Sequence, residues 1–373
     1  MVSQDNETLF PACFVSLPPY TEGRSATFFL AAEEYVATHF CTDGRAKEAF
    51  LFTWRLKPTV VMGRNQVAHQ EVDLDFCRRE GIDVVRRKSG GGAIFADERN
   101  IMTSLVTGPG PVEPLFQAYA HAVSAALNSL GATTTVSGRN DILLTYERDG
   151  ETLTGKICGN AFYHLTAPQK QGNYSHPSQG GAGGGSVGAN IVHGTMLYDT
   201  DPRLMQGALH PDLGKLQASG VKSVRSRVAL LKDVLPFGVD ELRRQLRQRL
   251  TDRSICLTAD DVRQIEEIER GYTTDEYLYG RKADLSTVLK QRIEGVGTIE
   301  LQLSLHNGSV ERLHLTGDFF ETGDEPAEAA FRQAFEGRAF TPSVIRERIA
   351  AVHPERAIRN LTAEALVALL AES

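Results

Sequence analysis

The run Arg86-Arg87-Lys88-Ser89-Gly90-Gly91-Gly92-Ala93-Ile94-Phe95 holds the densest chemistry in the chain. Glycine takes φ > 0 freely and lets backbone N–H groups approach a ligand with no side chain in the way. Successive amides in such a turn form a concave nest for an anion or carboxylate. Two known Gly-rich loops do not fit. The nucleotide loop of P-loop enzymes needs Gly-x-x-x-x-Gly-Lys-Ser/Thr, and the dinucleotide fingerprint needs Gly-x-Gly-x-x-Gly opening a helix. The plainer reading is a tight surface hairpin. Four more segments could carry chemistry: Gly138-Arg139-Asn140-Asp141, Gly155-Lys156-Ile157-Cys158-Gly159-Asn160-Ala161, His193-Gly194-Thr195 and Ser223-Val224-Arg225-Ser226-Arg227. Lys156 sits between small residues in an otherwise apolar strand. A lysine buried beside a ligand supplies a point charge for a phosphate or a carboxylate. A solvent-facing edge lysine is the alternative.

These residues need elements to hold them. Ser25 caps a helix over 26–40, with Phe29, Ala32, Val36 and Phe40 on its apolar face. Strands are expected at 49–56, 59–62, 82–85, 93–95 and 101–106, and a helix at 71–80 stopped by Gly81. A long helix over 114–130 closes at Gly131, and a hairpin follows at 141–147 and 152–163 around Arg148-Asp149-Gly150. Residues 171–189 are Gly-rich with almost nothing apolar, so a mobile loop is expected there before a strand at 190–198. Helices near 239–250 and 259–270 complete the first unit. A smaller α+β unit then begins. It has a hairpin at 297–305 and 310–315 around His306-Asn307-Gly308, and helices over 326–336, 342–352 and 362–371. The boundary is expected near 280–286.

Bulk properties narrow the field. The chain has 373 residues and a net charge of -7, which argues against a general nucleic-acid binder. No apolar run approaches the ~20 residues needed to span a bilayer. The polar, acidic start Met1-Val2-Ser3-Gln4-Asp5-Asn6-Glu7 is neither a secretory signal nor a typical transit peptide. Five scattered cysteines without Cys-x-x-Cys or zinc spacing point to reduced thiols and a cytoplasmic location, with an organelle not excluded.

Taken together, the segments resemble the lipoate–protein ligase A family of the biotin/lipoate ligase superfamily. The matching pieces are Gly63-Arg64-Asn65-Gln66, Arg86 through Phe95, Asp97, Gly138-Arg139-Asn140-Asp141, Lys156-Ile157-Cys158-Gly159, His193-Gly194-Thr195 and Lys222-Ser223-Val224-Arg225-Ser226-Arg227, in the family's order. Leu315-Thr316-Gly317-Asp318-Phe319-Phe320 resembles part of the family's accessory domain. The resemblance implies an α+β fold of α/β two-layer character. A large catalytic domain, 1–280, would carry mixed β-sheets flanked by helices. A small α+β accessory domain, 281–373, would move between half-reactions.

It also implies a reaction: lipoate and ATP give lipoyl-adenylate, and the lipoyl group passes to a lysine of an acceptor protein. Lys156 would sit at the acyl-phosphate junction and counter developing charge. Arg87, Ser89 and the amides of Gly90, Gly91 and Gly92 would hold the adenylate. Asn140 and Asp141 would line the nucleotide end, with Asp141 a candidate Mg²⁺ ligand. Gly159, His193, Gly194 and Thr195 would complete the pocket, and Phe52, Val60, Val61 and Met62 would wall the dithiolane tail. The family's usual acceptors are apo lipoyl domains of 2-oxo acid dehydrogenase complexes and the glycine-cleavage carrier protein. Lys222, Arg225 and Arg227 are a candidate docking cluster. No nucleic-acid or membrane partner is implied, and a monomer is expected.

Three departures stand out. Ala96 replaces the family's usual His, Cys158 replaces its usual Ser, and the stretch between Lys156 and His193 is longer than usual, either as an insertion or as a modified lid. Rival readings are an octanoyl or lipoyl transferase working through a cysteine, a biotin–protein ligase, and a non-catalytic lipoate- or nucleotide-binding homologue. The biotin reading lacks its Gly-Arg-Gly-Arg-x-Gly signature.

Overall fold

The computed structural model describes residues 11–41, 48–137, 141–166, 188–210, 228–281, 285–322 and 326–371. Its centre is a mixed eight-stranded sheet. In spatial order the strands are β11 (Thr251–Cys256), β1 (Ala12–Ser16), β2 (Ala49–Trp54), β6 (Asn100–Thr107), β10 (Gly188–Leu197), β9 (Glu151–Thr166), β8 (Asp141–Arg148) and β7 (Thr134–Val136). β1 runs parallel to β11 and β2, and the other pairs are antiparallel. Strand alternation splits the apolar residues between two faces. One face carries Phe50, Phe52, Trp54, Met102, Val106, Ile191 and Tyr163 into a core under the helices Ala26–Phe40 and Ala259–Glu269. The other carries Leu51, Leu105, Val192 and Phe162 into a second core under Val112–Ser129 and Val239–Leu250.

The local signals work as physics requires. Ser25 accepts the N–H of Thr27 and starts the helix Ala26–Phe40. That helix is buried nearly all round, because the sheet lies on one side and further helices on the other. Asp149 and Gly150 both take φ > 0, the conformation a tight β8–β9 hairpin needs. The expected helix over 71–80 is instead two, Ala68–Glu71 and Leu74–Glu80. Asp73 caps the second through the N–H of Phe76, so an Asp inside the pattern was a start signal.

The surface-hairpin reading of the Gly-rich run is overturned. β4 (Asp83–Arg86) and β5 (Ile94–Ala96) do not pair with each other; both pair with β3 (Thr59–Met62), β4 parallel and β5 antiparallel. The turn therefore crosses over the end of a central strand, and Ser89 at its heart is fully buried.

The second unit is a three-stranded antiparallel sheet, β12 (Thr287–Ile293), β13 (Gly297–His306) and β14 (Ser309–Gly317), backed by the helices Ala327–Phe335, Pro342–Val352 and Ala363–Ala371. Its hairpin turns through Asn307 and Gly308 at positive φ, as expected. β12 has only a weak sequence signal, because Val288 is exposed while Leu289 is buried. No described helix is long and apolar enough to cross a membrane. Most of the Gly-rich stretch lies outside the described residues; Gly188 and Ala189 belong to β10.

Candidate active site

Two buried arginines build the Gly-rich turn. Arg86 donates to the carbonyls of Gly63, Arg64 and Gln66 through Nη1, and to Leu278 through Nε and Nη2. Arg87 donates through Nε to Ser89 Oγ, through Nη1 to the Val61 carbonyl, and through Nη2 to the carbonyls of Gly90 and Gly92. Neither reaches a carboxylate among the described residues. Burial pulls both guanidinium groups down from their usual value to about 10. Two cations are thus set into the turn among carbonyl dipoles and the Ser89 hydroxyl. Arg87 braces the turn directly, and its remaining reach toward a ligand is small.

Glycine is required by close approach. A Cβ at Gly63 would stand 1.9 Å from the Gly91 carbonyl oxygen, and one at Gly90 would stand 2.1 Å from that of Phe319. Gly91 adopts φ of 88° and donates its N–H to the Phe319 carbonyl at 3.1 Å. The second unit therefore reaches into the turn. Phe320 packs against Gly91 and stacks on Phe162, with centroids 5.8 Å apart. Arg64–Glu321 at 3.2 Å and a pair between Arg359 and Glu113 bracket this contact.

Lys156 is held at the other end, on β9. Alternation alone would turn it toward Cys158 and Asn160. A β-bulge intervenes: Ile142 pairs with Cys158, but Leu143 pairs with Lys156, leaving Ile157 as the extra residue. The ammonium consequently lies over Gly159, 2.7 Å from where a Cβ would be, and pairs with Asp141 Oδ1 at 2.7 Å. Gly159 is opposite Thr195, and Ala161 is opposite His193. Lys156, Asp141, Gly159, Thr195 and His193 thus share one face of the sheet. Gly194 points to the other face, where Asn160 Oδ1 occupies the place a Cβ would take. Asn140 and the cluster Lys222, Arg225 and Arg227 lie outside the described residues.

His193 ties the two ends together. Its ring approaches Ser89 Oγ at 2.7 Å on one side and Glu33 at 3.0 Å on the other. Ser104 Oγ donates to Glu33 Oε1 at 2.6 Å, and Trp54 Nε1 donates to Ser104 at 2.9 Å. Of the four residues expected along an acyl tail, Phe52 and Val61 join this core, whereas Val60 and Met62 face the opposite side of β3. Ala96 is fully buried in the same core as Trp54 and Val61. Among the described residues no three His, Cys, Asp or Glu side chains gather as a metal site.

Residues 25–251 match the lipoyl protein ligase A/B catalytic domain, and residues 283–370 match the bacterial lipoate protein ligase C-terminus. The chain belongs to the lipoyl protein ligase A/B family. It is 28% identical to lipoate-protein ligase LplJ of Bacillus subtilis over 352 residues, covering 91% of this chain and 95% of that protein. It is 29% identical to lipoate–protein ligase 1 of Staphylococcus aureus, covering 80% and 83%. In fold it is similar to P. falciparum LipL1 in complex with lipoate, with a TM-score of 0.68 at 16% identity over 97% of this chain and 98% of that one. A bipartite lipoate protein ligase from Thermoplasma acidophilum, studied with its E2 lipoyl domain, matches with a TM-score of 0.56 at 25% identity, covering 74% of this chain and all of that one.

Glu33 and Ser104 have no place in the motifs quoted from the sequence, while Arg86, Gly63 and Phe319 stand in those motifs without an assigned role. Only Glu33 left a usable signal. It lies one turn from Phe29 on the apolar face of its helix, where a charge has no place without a buried partner.

Proposed function

We propose that the site works as an acyl-adenylate pocket between the Gly-rich turn and Lys156. The protein is an ATP-dependent lipoate–protein ligase that activates lipoate as lipoyl-adenylate and transfers the lipoyl group to a lysine. The observation that carries the pocket is the pair of buried guanidinium groups at the turn, bonded to backbone carbonyls and, at Arg87 Nε, to the Ser89 hydroxyl, with no direct ion pair among the described residues. Buried charge without a counter-charge is costly, and an anionic ligand relieves that cost. A carboxylate and a phosphate are the anions this reaction brings.

Lys156 supplies the mobile charge. Its ammonium is half-exposed and paired with a single carboxylate, so it can turn from Asp141 to a phosphoryl or acyl oxygen. There it would counter charge that builds during both attack of carboxylate on ATP and attack of the acceptor amine on the adenylate. Asp141 then becomes free to serve as an oxygen ligand. That chemistry fits Mg²⁺, which binds through one or two carboxylates plus substrate phosphates and neutralises their charge. Ser89, Gly159, His193 and Thr195 line the same face, and Asn140 would join them from the nucleotide end.

The accessory unit closes the turn in this arrangement, since Gly91 N–H is bonded to Phe319. Moving that segment aside would free the amide for the adenylate. The acceptors are read as apo lipoyl domains, with the basic cluster at Lys222, Arg225 and Arg227 as their docking point.

The transferase reading, with an acyl group on Cys158, is disfavoured. Burial pushes the Cys158 thiol up to about 12, and Asn160, not a base, receives its S–H. The deciding experiment is mass spectrometry of a purified apo lipoyl domain after incubation with this protein, lipoate, ATP and Mg²⁺. Lipoyl addition is expected with ATP and not without it, and Lys156→Ala should abolish it. Modification that proceeds equally without ATP would end the ligase reading.

A further inference from the structure

The chain Glu33–His193–Ser89 has the spacing of a catalytic triad, with 3.0 Å and 2.7 Å between its members. Two facts argue against a nucleophile. Ser89 is fully buried, and its Oγ already accepts the Nε–H of Arg87 at 2.9 Å. Proton counting points elsewhere. Trp54 and Arg87 can only donate, and Glu33 accepts from Ser104 Oγ. Ser104 takes the indole N–H and sends its own proton to Glu33. Ser89 takes the guanidinium N–H, and in the assignment inferred here its own proton goes to His193 Nε2, 2.7 Å away. In that assignment the ring proton lies on Nδ1, directed at Glu33. In that assignment these hydrogen bonds run one way, toward a carboxylate that is fully buried on the helix Ala26–Phe40.

We infer that Glu33 is a positioning residue that fixes the Gly-rich turn by setting the tautomer of His193 and thereby the direction of the Ser89 hydroxyl. The claim rests on the pocket proposed above. With Ser89 Oγ held as an acceptor for Arg87, the guanidinium plane is locked, and Arg87 in turn orients the Gly90 and Gly92 carbonyls. Their amides then face the ligand in one arrangement. In Glu33→Gln the side chain keeps its size but gains an N–H₂. If that amide faces His193, the ring must carry its proton on Nε2, and Ser89 receives two donors and loses its own acceptor. If it faces Ser104, that hydroxyl is orphaned instead. A buried polar group left without a partner is expensive, so the turn loosens.

A double-mutant cycle with a spectroscopic readout tests this. Pyrophosphate release with lipoate and ATP should fall about 10-fold or more in Glu33→Gln and in Ser89→Ala, and the double variant should fall no further than the worse single one. Losses that multiply would overturn the inference, because Glu33 would then act independently of Ser89. In wild-type protein carrying ¹⁵N-histidine, the resonance removed by His193→Gln should be that of a neutral ring protonated on Nδ1. It should change to the Nε2-protonated form or to a mixture in Glu33→Gln. A wild-type ring protonated on Nε2 would also overturn the inference. The tautomer needs no turnover, so it separates failure here from failure of the pocket itself.

Discussion

The two ends of the site hold their cations in opposite ways. At the turn, Arg86 and Arg87 are buried and bonded to carbonyls of four chain segments. At the strand end, Lys156 is half-exposed and paired with one side chain. The turn's charges are part of the fold, because their N–H groups tie together the carbonyls of Val61, Gly63, Gln66, Gly90 and Leu278. The charge on Lys156 can be removed without breaking a core. Stability and activity should therefore be inseparable at the turn and separable on the strand.

The largest test of that contrast is Gly63→Ala. Its Cβ would meet a backbone oxygen, which cannot swing aside, so the turn must shift against Arg86 and Arg87. Overpacking of this kind costs roughly 3 kcal/mol. Tm should fall by several degrees and adenylation should be lost together with it. A variant with normal Tm and no activity would erase the distinction drawn between the ends.

Gly159→Ala is the matched change at the strand end. The added Cβ collides with Lys156 Nζ, the far end of a flexible side chain. Stability should change by about 1 kcal/mol or less, since half-exposed ion pairs contribute little. Turnover should drop roughly 100-fold, because the ammonium is displaced from the junction by an ångström or more. Pyrophosphate-release kinetics beside a melting curve measure both. A large loss of Tm here would show that Lys156 is bound into the fold as the arginines are.

The same contrast explains what could be read from the sequence. The helix Ala26–Phe40, the β8–β9 hairpin and the helix Val112–Ser129 follow from caps, turn residues and periodicity, all of which act within a few residues. Lys156 was legible as a misfit in an apolar strand, and the glycines as a nest. What escaped depends on distant chain. Nothing local predicts that a bulge at Ile157 turns Lys156 to the site face, because bulges are set by the pairing of β8 with β9. Arg87 reads as a ligand-holding arginine until the carbonyls of Val61, Gly90 and Gly92 are seen around it. Ala96 replaces the family's usual His, a hydrogen-bonding group, yet its side chain is fully buried in the apolar core that also holds Trp54 and Val61. A likeness between families locates residues; only packing says whether a side chain faces the ligand or holds up the wall.

Alkaline titration separates the ends by pH. Burial raises the hydroxyl groups of Tyr163, Tyr272 and Tyr277 above their usual value; all three pack around Glu34 and the turn. The folded state keeps these protons longer than the unfolded one, so their stabilisation is complete below about pH 10 and is lost as pH climbs past it. Arg86 and Arg87 act with the opposite sign from about 10 upward, since their folded values are lowered, but two groups do not offset three. Tm should fall steadily above pH 10, and amide exchange should quicken first at the turn. Unchanged Tm to pH 11 would mean that the tyrosines are not sealed in the native protein.

Cys158→Ala should have the smallest effect, and it bears most directly on the chemistry. The residue neighbours Lys156 in sequence, and a nearby ammonium lowers a thiol's pKa. The bulge sends the two side chains to different faces, so that Cys158 is buried in the core with Ile157 and Ile142. Desolvation then outweighs the lysine and leaves the thiol near 12, with about one part in ten thousand ionised at pH 8. Such a group cannot carry an acyl chain at a useful rate. Replacing it removes one buried sulfur atom, costs about 1 kcal/mol, and should leave ATP-dependent lipoylation within roughly twofold of wild type. Thiol labelling at pH 8 gives an independent check. Cys256 is exposed and should react, whereas Cys13, Cys41, Cys77 and Cys158 should stay protected until the protein unfolds. Rapid native labelling of Cys158 together with loss of activity in the alanine variant would move the nucleophile back onto the strand, and the bulge would then be a device for aiming a thiol.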